Sequence, residues 1–405
     1  MDRRWIGFSL VALVALSGCQ GQPETVYAEW MRLPRQSSHE GGRYESFARA
    51  ASLAETNASK YVSTVVFTPG KRDACLKQLG PALRALSEGA RRPELKFAFE
   101  PVRPFTPKQH VAGWRLLGRG LVWKIELAAK EGDYDAAVRC TVLAHEFGLD
   151  LLGGGAMEAS LGMAIADDAR KAIAPTLPRL SAEQLEKLSN GVARALSRKP
   201  ALADTIENEK MNMLAGVQTL QDAYRAEEWG KLVKAMGADV RPAVDKLKQI
   251  RGEEPHEGVA YFKDLADEAS WEATYVANLA AEPAAQRSSI AEPTLKTERP
   301  WRRFARHFFG TLRPLLQQHD ETLARTRLLV IEAKLQKVAR QSGKYPKDLS
   351  AWHKEITTDP YTGGPFAYRA DGGDCKVYSV GRDMTDDGGQ TDESFASPDL
   401  RLELR

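Results

Sequence analysis

Four aspartates near the C-terminus are the chain's clearest candidates for chemistry. Asp383, Asp386 and Asp387 place three carboxylates within five residues, and Asp392 is close enough to return to them. Gly388-Gly389 lets the backbone fold back and offers carbonyl oxygens. Calcium prefers several oxygen ligands of these two kinds. The spacing therefore favours a calcium site, and a solvated acidic turn is the alternative because Asp and Gly are also common turn residues.

The spacings of familiar catalytic motifs are not found in the chain. His145-Glu146 is followed by Leu149 where the helix of a zinc protease needs a second histidine. Glu158 stands where the nucleophile elbow around Ser160 needs a glycine. The seven histidines are dispersed, and a lone histidine on an amphipathic helix is more often structural than catalytic. The sequence therefore assigns no catalytic residue.

Turn residues alternate with short aromatic and β-branched runs around the acidic loop. Residues 359–369 (DPYTGGPFAYR) and 377–383 (VYSVGRD) have this composition, which predicts small antiparallel strands joined by tight turns. A helical stretch from Arg325 to Arg340 and a turn over 343–349 precede them. The predicted order is helix, turn, strands and acidic loop.

That order resembles the soluble headgroup of the major pseudopilin of type II secretion systems. The residues at matching places are Tyr345-Pro346, Asp359-Pro360, Tyr368 and Tyr378-Ser379-Val380-Gly381. The resemblance covers about the last fifth of the chain, a length suited to one small unit. The family's prepilin cleavage site and spanning helix have no counterpart here, because Arg325 to Arg340 is amphipathic. The resemblance therefore implies a headgroup-like module docked on the preceding helices.

The resemblance also implies a ligand set for calcium. In the pseudopilins the ligands are the backbone carbonyl of the hydrophobic residue in a Tyr-Ser-Leu-Gly element and aspartates beyond it. The matching positions are Val380 and Asp383 most directly, followed by Asp386, Asp387 and Asp392. The spacing differs from that of an EF-hand, because two residues separate Asp383 from Asp386 and no glutamate stands at the twelfth place.

The first nineteen residues have the organisation of an export signal. Asp2-Arg3-Arg4 is a short basic region, and Ile6 to Leu16 is apolar but shorter than the roughly twenty residues of a spanning helix. The ending Leu16-Ser17-Gly18-Cys19 resembles a bacterial lipobox. The resemblance implies that residues 1–18 are a cleaved lipoprotein signal peptide and that Cys19 carries acyl chains such as palmitate. An ordinary secretory signal with an incidental cysteine is the alternative.

The predicted anchor determines the expected location. More than one acyl chain on Cys19 gives stable membrane attachment. Residues 19–40 are then a lipidated tether, in which Pro23 and Pro34 oppose regular structure. Gln20 follows the cysteine, which resembles the pattern of lipoproteins that are sorted to the outer membrane. In a cell with two membranes, this resemblance implies an outer-membrane protein that faces the periplasm or the surface.

Composition and charge limit the classes of partner. Hydrophobic residues make up 43% and charged residues 27% of the chain, which is an ordinary globular composition. Its length of 405 residues is enough for two or three domains. Residues 1–18 contain two basic residues and one acidic residue, so their removal lowers the formal net charge from +3 to +2. This balance predicts no nucleic-acid partner. Cys75, Cys140 and Cys375 leave at least one free thiol and form no zinc motif.

Helical periodicity dominates residues 41–280, which form the predicted helical domain. Ser181 to Gln184 is a capping box, and two long helical stretches follow over roughly Ala201–Met236 and Gly258–Leu279. Residues 281–300 have a linker composition, and 301–405 hold a helix and a small antiparallel sheet. The predicted fold is mainly α, a multi-helix array or bundle followed by a small α+β pseudopilin-like module.

Three classes of function are compatible with these observations. The first is a lipid-anchored envelope protein that binds or scaffolds another envelope protein and has a calcium-stabilised C-terminal module. The second is an envelope hydrolase with an active site between helices. The third is an accessory component of a secretion or pilus system. The first is favoured because no catalytic spacing is found.

Overall fold

Helical periodicity accounts for most of the architecture. The computed structural model describes residues 42–95, 110–236, 241–253, 257–290, 312–371, 373–390 and 399–402. Within these ranges the protein is mainly helical, with a two-stranded antiparallel sheet near the C-terminus, so the prediction of a mainly α fold is confirmed. The predicted signal peptide and tether, Cys19 and Asp392 lie outside the described residues, as does the second half of the linker.

The helices are α1 (Arg43–Asn57), α2 (Pro69–Ala90), α3 (Val111–Glu131), α4 (Tyr134–Asp150), α5 (Ala156–Ile173), α6 (Ala182–Arg198), α7 (Leu202–Ala226), α8 (Trp229–Met236), α9 (Arg241–Glu253), α10 (Glu257–Ala280), α11 (Ala284–Arg287), α12 (Leu312–Ser342) and α13 (Lys354–Thr357). The strands are β1 (Ala367–Asp371) and β2 (Asp374–Tyr378). Short 3-10 turns occupy Ser59–Tyr61, Leu151–Gly153 and Ala174–Arg179.

Local capping determines several helix boundaries. The capping box of α6 is confirmed, because the Ser181 hydroxyl accepts from the Gln184 N–H (3.2 Å) and the Gln184 side chain accepts from the Ser181 N–H (2.9 Å). The helix predicted from Ala201 to Met236 is wrong in one respect. It breaks at Glu227, whose backbone is left-handed (φ 58°), so α7 and α8 are separate helices.

Helix α4 lies at the centre of the helical body and packs against α3, α5 and α6. Its crossing with α5 is close because Gly148 and Gly162 face each other, and a methyl group on either would overlap the carbonyl oxygen of the other. On the other side of α4, the ring of Phe147 meets the ring of Phe47 edge-on at 5.2 Å. Buried apolar surface of this kind supplies most of the driving force for folding.

The long helix α12 joins the helical body to the C-terminal module. It packs on α5 and α6, and Leu328, Ile331 and Leu335 of the predicted stripe are buried, while Val338 is half-buried. Leu329, Val330 and Glu332 are buried as well, so α12 is covered on more than the one face that the amphipathic pattern predicts. The backbone N–H groups of Ala284 and Ala285 donate to the carbonyl groups of Pro360 (3.2 Å) and Tyr361 (2.8 Å). The first half of the predicted linker is therefore hydrogen-bonded to the module.

One buried ion pair connects α1, α4 and the chain after α2. Arg43 is 4% exposed and Asp150 is 1% exposed. The Arg43 guanidinium donates to both Asp150 oxygens (2.9 and 3.3 Å), and its Nη1 also donates to the carbonyl groups of Arg92 and Pro93. Burial raises the pKa of Asp150 to about 6, although the charges of Arg43 and Arg198 oppose this rise.

The substitution Arg43→Met tests this pair. It leaves Asp150 buried without its main partner, so we expect a loss of about 3–5 kcal/mol in the free energy of unfolding at pH 7.5. The loss should be smaller at pH 5. A buried carboxyl with a raised pKa destabilises the folded state when it is ionised, and at pH 5 more of Asp150 is protonated. Denaturant unfolding at both pH values measures it.

The matched control is Arg72→Met, because Arg72 pairs with Glu126 and both side chains are partly exposed. Removing this surface pair should cost about 0–1 kcal/mol. Equal losses in the two variants, or a loss in Arg43→Met that does not change with pH, would contradict the assignment.

Candidate calcium site

The hairpin that precedes the acidic loop pairs β1 with β2 from Ala367 opposite Tyr378 to Asp371 opposite Asp374. Directly after β2, Ser379 pairs with Leu400 through two backbone hydrogen bonds (3.0 and 2.8 Å). Residues 399–402 therefore lie beside the start of the acidic loop, and the loop is closed at its base.

Backbone turns and hydrogen bonds shape the loop itself. Gly388 and Gly389 have left-handed backbone angles (φ 69° and 76°), as the sequence suggests for a fold-back. Asp386 Oδ1 accepts from the Tyr378 hydroxyl (2.7 Å) and from the Gly388 N–H (2.9 Å). These two bonds, the Tyr378 bond first, lower the pKa of Asp386. Both bonds therefore favour the ionised form of Asp386.

Asp399 is the functional candidate that the sequence analysis missed. It is 1% exposed, and its Oδ2 accepts from the Gly389 N–H at 2.6 Å. Its Oδ1 is buried without a hydrogen-bond partner. Burial raises the pKa of Asp399, and the negative charges of Asp387 and Asp386 raise it further, while the backbone N–H groups of Gly389 and Asp387 lower it. Buried oxygens that lack a donor are costly, so this one is suited to a cation.

The structure places the predicted ligands unequally. Asp386 and Asp387 lie close enough to Asp399 to act on its charge. Asp383 is exposed, and its carboxylate accepts from the nearby Thr385 N–H (3.1 Å). In the described part of the chain, no group of three or more His, Cys, Asp or Glu side chains is arranged to hold a metal ion. The calcium site therefore stays a prediction.

Val380 is held by a residue from the preceding turn. Its backbone N–H donates to Asp359 Oδ2 (3.3 Å), and Asp359 Oδ1 accepts from the Tyr361 N–H (2.9 Å). Asp359 is buried, and burial raises its pKa against these hydrogen bonds. The Asp359-Pro360 element thus has a structural role, which is to fix the backbone at the first predicted ligand.

His145 has a structural environment as well. It is fully buried, and its Nδ1 donates to the Thr141 carbonyl group at 2.8 Å. Burial lowers its pKa to about 4, so the ring is neutral at physiological pH. The buried, neutral ring agrees with a structural histidine, although its Nε2 is buried without a hydrogen-bond partner, so the ring is only half satisfied.

No protein-family model, curated protein or solved structure matches this chain. The described helices include none that is long and apolar enough to cross a membrane. Cys75, Cys140 and Cys375 are free thiols. The pseudopilin-like character of the module therefore continues to rest on the motifs of the sequence.

The substitution Tyr378→Phe tests the geometry of the loop. Loss of the hydroxyl removes the first cause of the lowered pKa of Asp386, so we expect this pKa to rise toward its ordinary value. In wild type, the stabilisation linked to Asp386 is present at neutral pH and is lost as the pH falls through its folded pKa. In the variant, the free energy of unfolding should therefore depend less on pH in the acid range. Carboxyl titration by NMR measures the shift.

Tyr368→Phe is the control, because the Tyr368 hydroxyl donates to the Pro346 carbonyl group (2.7 Å) and not to an acidic residue. The pKa of Asp386 should stay unchanged in this control. The same Asp386 titration in wild type and in Tyr378→Phe would show that the hydrogen bond does not form in solution.

Proposed function

We propose that this chain is a lipid-anchored cell-envelope protein with a binding or scaffolding role, and that calcium stabilises its C-terminal module. The observation that carries the calcium part is the buried, unpartnered Oδ1 of Asp399 beside the charges of Asp386 and Asp387. The lipobox-like ending at Cys19 supports the anchor. The binding role is supported by a sequence without catalytic spacing and by the structural environment of His145.

The electrostatics of the loop support a cation as its stabiliser. Neighbouring carboxylates repel one another, and burial adds a desolvation cost for Asp399. A divalent cation would offset both effects if the carboxylate oxygens of Asp386, Asp387 and Asp399 coordinated it together with the Val380 carbonyl oxygen. Asp383 and Asp392 complete the proposed set. Gly388 and Gly389 allow the chain to curve around the ion.

Calcium titration of the full chain tests this part of the proposal. A ligand that binds only the folded state stabilises it by about 2.7 kcal/mol at a hundredfold excess over its dissociation constant. We therefore expect a higher Tm with millimolar calcium than with chelator, and heat of binding in calorimetry. Asp399→Asn should abolish both effects, because it removes the charge on the buried ligand.

Asp371→Asn is the matched control, because Asp371 is exposed at the far end of the hairpin. It should bind calcium as wild type does. Equal midpoints with calcium and with chelator in wild type, together with no heat of binding, would leave only a solvated acidic turn.

Cell fractionation tests the anchor. The mature wild-type protein should begin at Cys19 and sediment with membranes until detergent is added. Cys19→Ala should give an uncleaved or soluble form, whereas Cys75→Ala should behave as wild type because Cys75 is a buried free thiol within α2. Recovery of all wild-type protein in the soluble fraction without detergent would contradict the anchor and would leave the calcium result unaffected.

A further inference from the structure

Among the described residues, the most exposed large apolar side chains are two neighbouring valines. They lie in the loop between the 3-10 turn at Ser59–Tyr61 and α2. Val65 is 82% exposed and Val66 is 75% exposed. Single apolar residues at a surface are normal, but two adjacent ones at the tip of one loop form a small apolar patch. Such a pair gains free energy when an apolar phase covers it.

The loop is fixed on both sides of the two valines. On one side, the Arg119 Nη1 donates to the Thr64 carbonyl group at 2.9 Å. On the other side, the ring centre of Phe67 lies 5.9 Å from that of Tyr61 and 4.8 Å from that of Trp123. These three rings are called the aromatic cluster. Because the backbone on both sides of the valines is already positioned, little conformational freedom is lost when the valines are covered.

Three cations lie over the rings of the aromatic cluster. The charged ends of Lys60, Arg72 and Arg119 each lie 5.0 to 5.5 Å from the centre of one ring. Segment 59–72 contains three basic residues and no acidic residue. Asp168 on α5 attracts Arg119, so that cation is partly neutralised within the protein. The distances thus place positive charge beside the apolar loop.

Acidic side chains offset only part of this charge. Arg72 is paired with Glu126, and Asp73 is an exposed acidic residue next in the chain. Lys60 and Lys71 are both exposed, and within the described part of the chain neither forms an ion pair. The two lysines beside the valines therefore carry charge that an external anion can meet.

We propose that this loop contacts a lipid bilayer with anionic headgroups: its two valines enter the interface, and Lys60 and Lys71 lie among the headgroups. Basic and aromatic side chains suit this boundary, because each has an apolar body and a polar end. A protein partner fits less well. Two small side chains cover far less than the roughly 800 Å² that each partner buries in a standard protein interface.

This inference rests on the proposed lipid anchor only for bringing the loop to a membrane. Residues 20–41 separate Cys19 from the start of the described chain, and a segment of that length spans at most roughly 75 Å. Helix α1 has 15 residues, so it is about 22 Å long, and the loop follows its C-terminal end. A chain anchored at Cys19 can therefore bring the loop to the same membrane.

Hydrogen exchange on the full wild-type chain measures the loop directly. The chain is bound to vesicles of phosphatidylcholine alone or of phosphatidylcholine with phosphatidylglycerol, and mass spectrometry follows the backbone of residues 62–68. We expect exchange of this segment to slow severalfold on the anionic vesicles, because the valines and their amide groups leave water. The exposed turn over 343–348 is the internal control and should exchange as it does in buffer.

A full chain with Cys19→Ala separates the loop from the anchor. In that background, Val65→Ser with Val66→Ser should weaken partition onto anionic vesicles by about tenfold or more, since one buried valine side chain alone favours an apolar phase by about that factor. The Tm should stay unchanged, because both side chains are exposed. Met157→Ser is the matched control, because Met157 is an exposed apolar residue on α5, and it should bind as the parent chain does.

The charge is tested in the same background by Lys60→Gln with Lys71→Gln. A lysine near an anionic membrane strengthens binding about fivefold. This double variant should therefore bind anionic vesicles more weakly and neutral vesicles as the parent chain does. Lys344→Gln with Lys347→Gln is the matched control, because both lysines are exposed in the C-terminal module, and it should change neither affinity.

Three results would overturn the proposal. The first is wild type held on anionic vesicles while residues 62–68 exchange as in buffer, which would leave the anchor without the loop contact. The second is equal weakening by the valine pair and by Met157→Ser, which would indicate nonspecific apolar attraction. The third is slowed exchange on cell membranes but on neither kind of protein-free vesicle, which would assign the loop to a protein partner. Soluble wild type together with loop-dependent partition of the Cys19→Ala chain would support the loop contact and contradict the anchor alone.

Discussion

The way in which α1 and the chain after α2 pack on the central helix α4 depends on the burial of the Arg43 and Asp150 charges against each other. Removing two charges from water is costly, and the cost is offset only where geometry and additional hydrogen bonds are good. Here the guanidinium reaches both carboxylate oxygens and two backbone carbonyl groups after α2. Because Asp150 ends α4, the central helix, this pair fixes how α1 and the end of α2 pack on it.

The sequence predicts the parts of this fold that depend on local physics. Helical periodicity locates the long helices, and the Ser181 capping box starts α6. The predicted strand runs, 359–369 and 377–383, overlap β1 and β2 only at their ends, because the hairpin turns between Asp371 and Asp374. The break at Glu227 is missed because a left-handed glutamate has no local signal comparable to a glycine. Likewise, the Arg43–Asp150 pair joins residues from distant parts of the chain, so no spacing reveals it.

The residues of the candidate calcium site differ in how visible they are in the sequence. Asp383, Asp386 and Asp387 are close in the chain, and local composition is enough to select them. Asp399 reaches the loop only because Leu400 pairs with Ser379, and the sole local signal is the alternation of Leu400 and Leu402 with polar residues.

A short path of covalent and hydrogen bonds connects α12 to the candidate calcium site. Arg327 donates to the Thr358 carbonyl group, the next residue is Asp359, and Asp359 accepts from the Val380 N–H at the start of the acidic loop. The same turn therefore attaches the module to α12 and positions the first predicted calcium ligand. The Asp359 carboxylate also attracts Arg327, because burial lowers the pKa of that guanidinium while the charges of Glu355, Asp359 and Asp320 raise it. Asp359 thus serves both ends of the turn, since it holds the Val380 backbone by a hydrogen bond and attracts the guanidinium that joins the turn to α12.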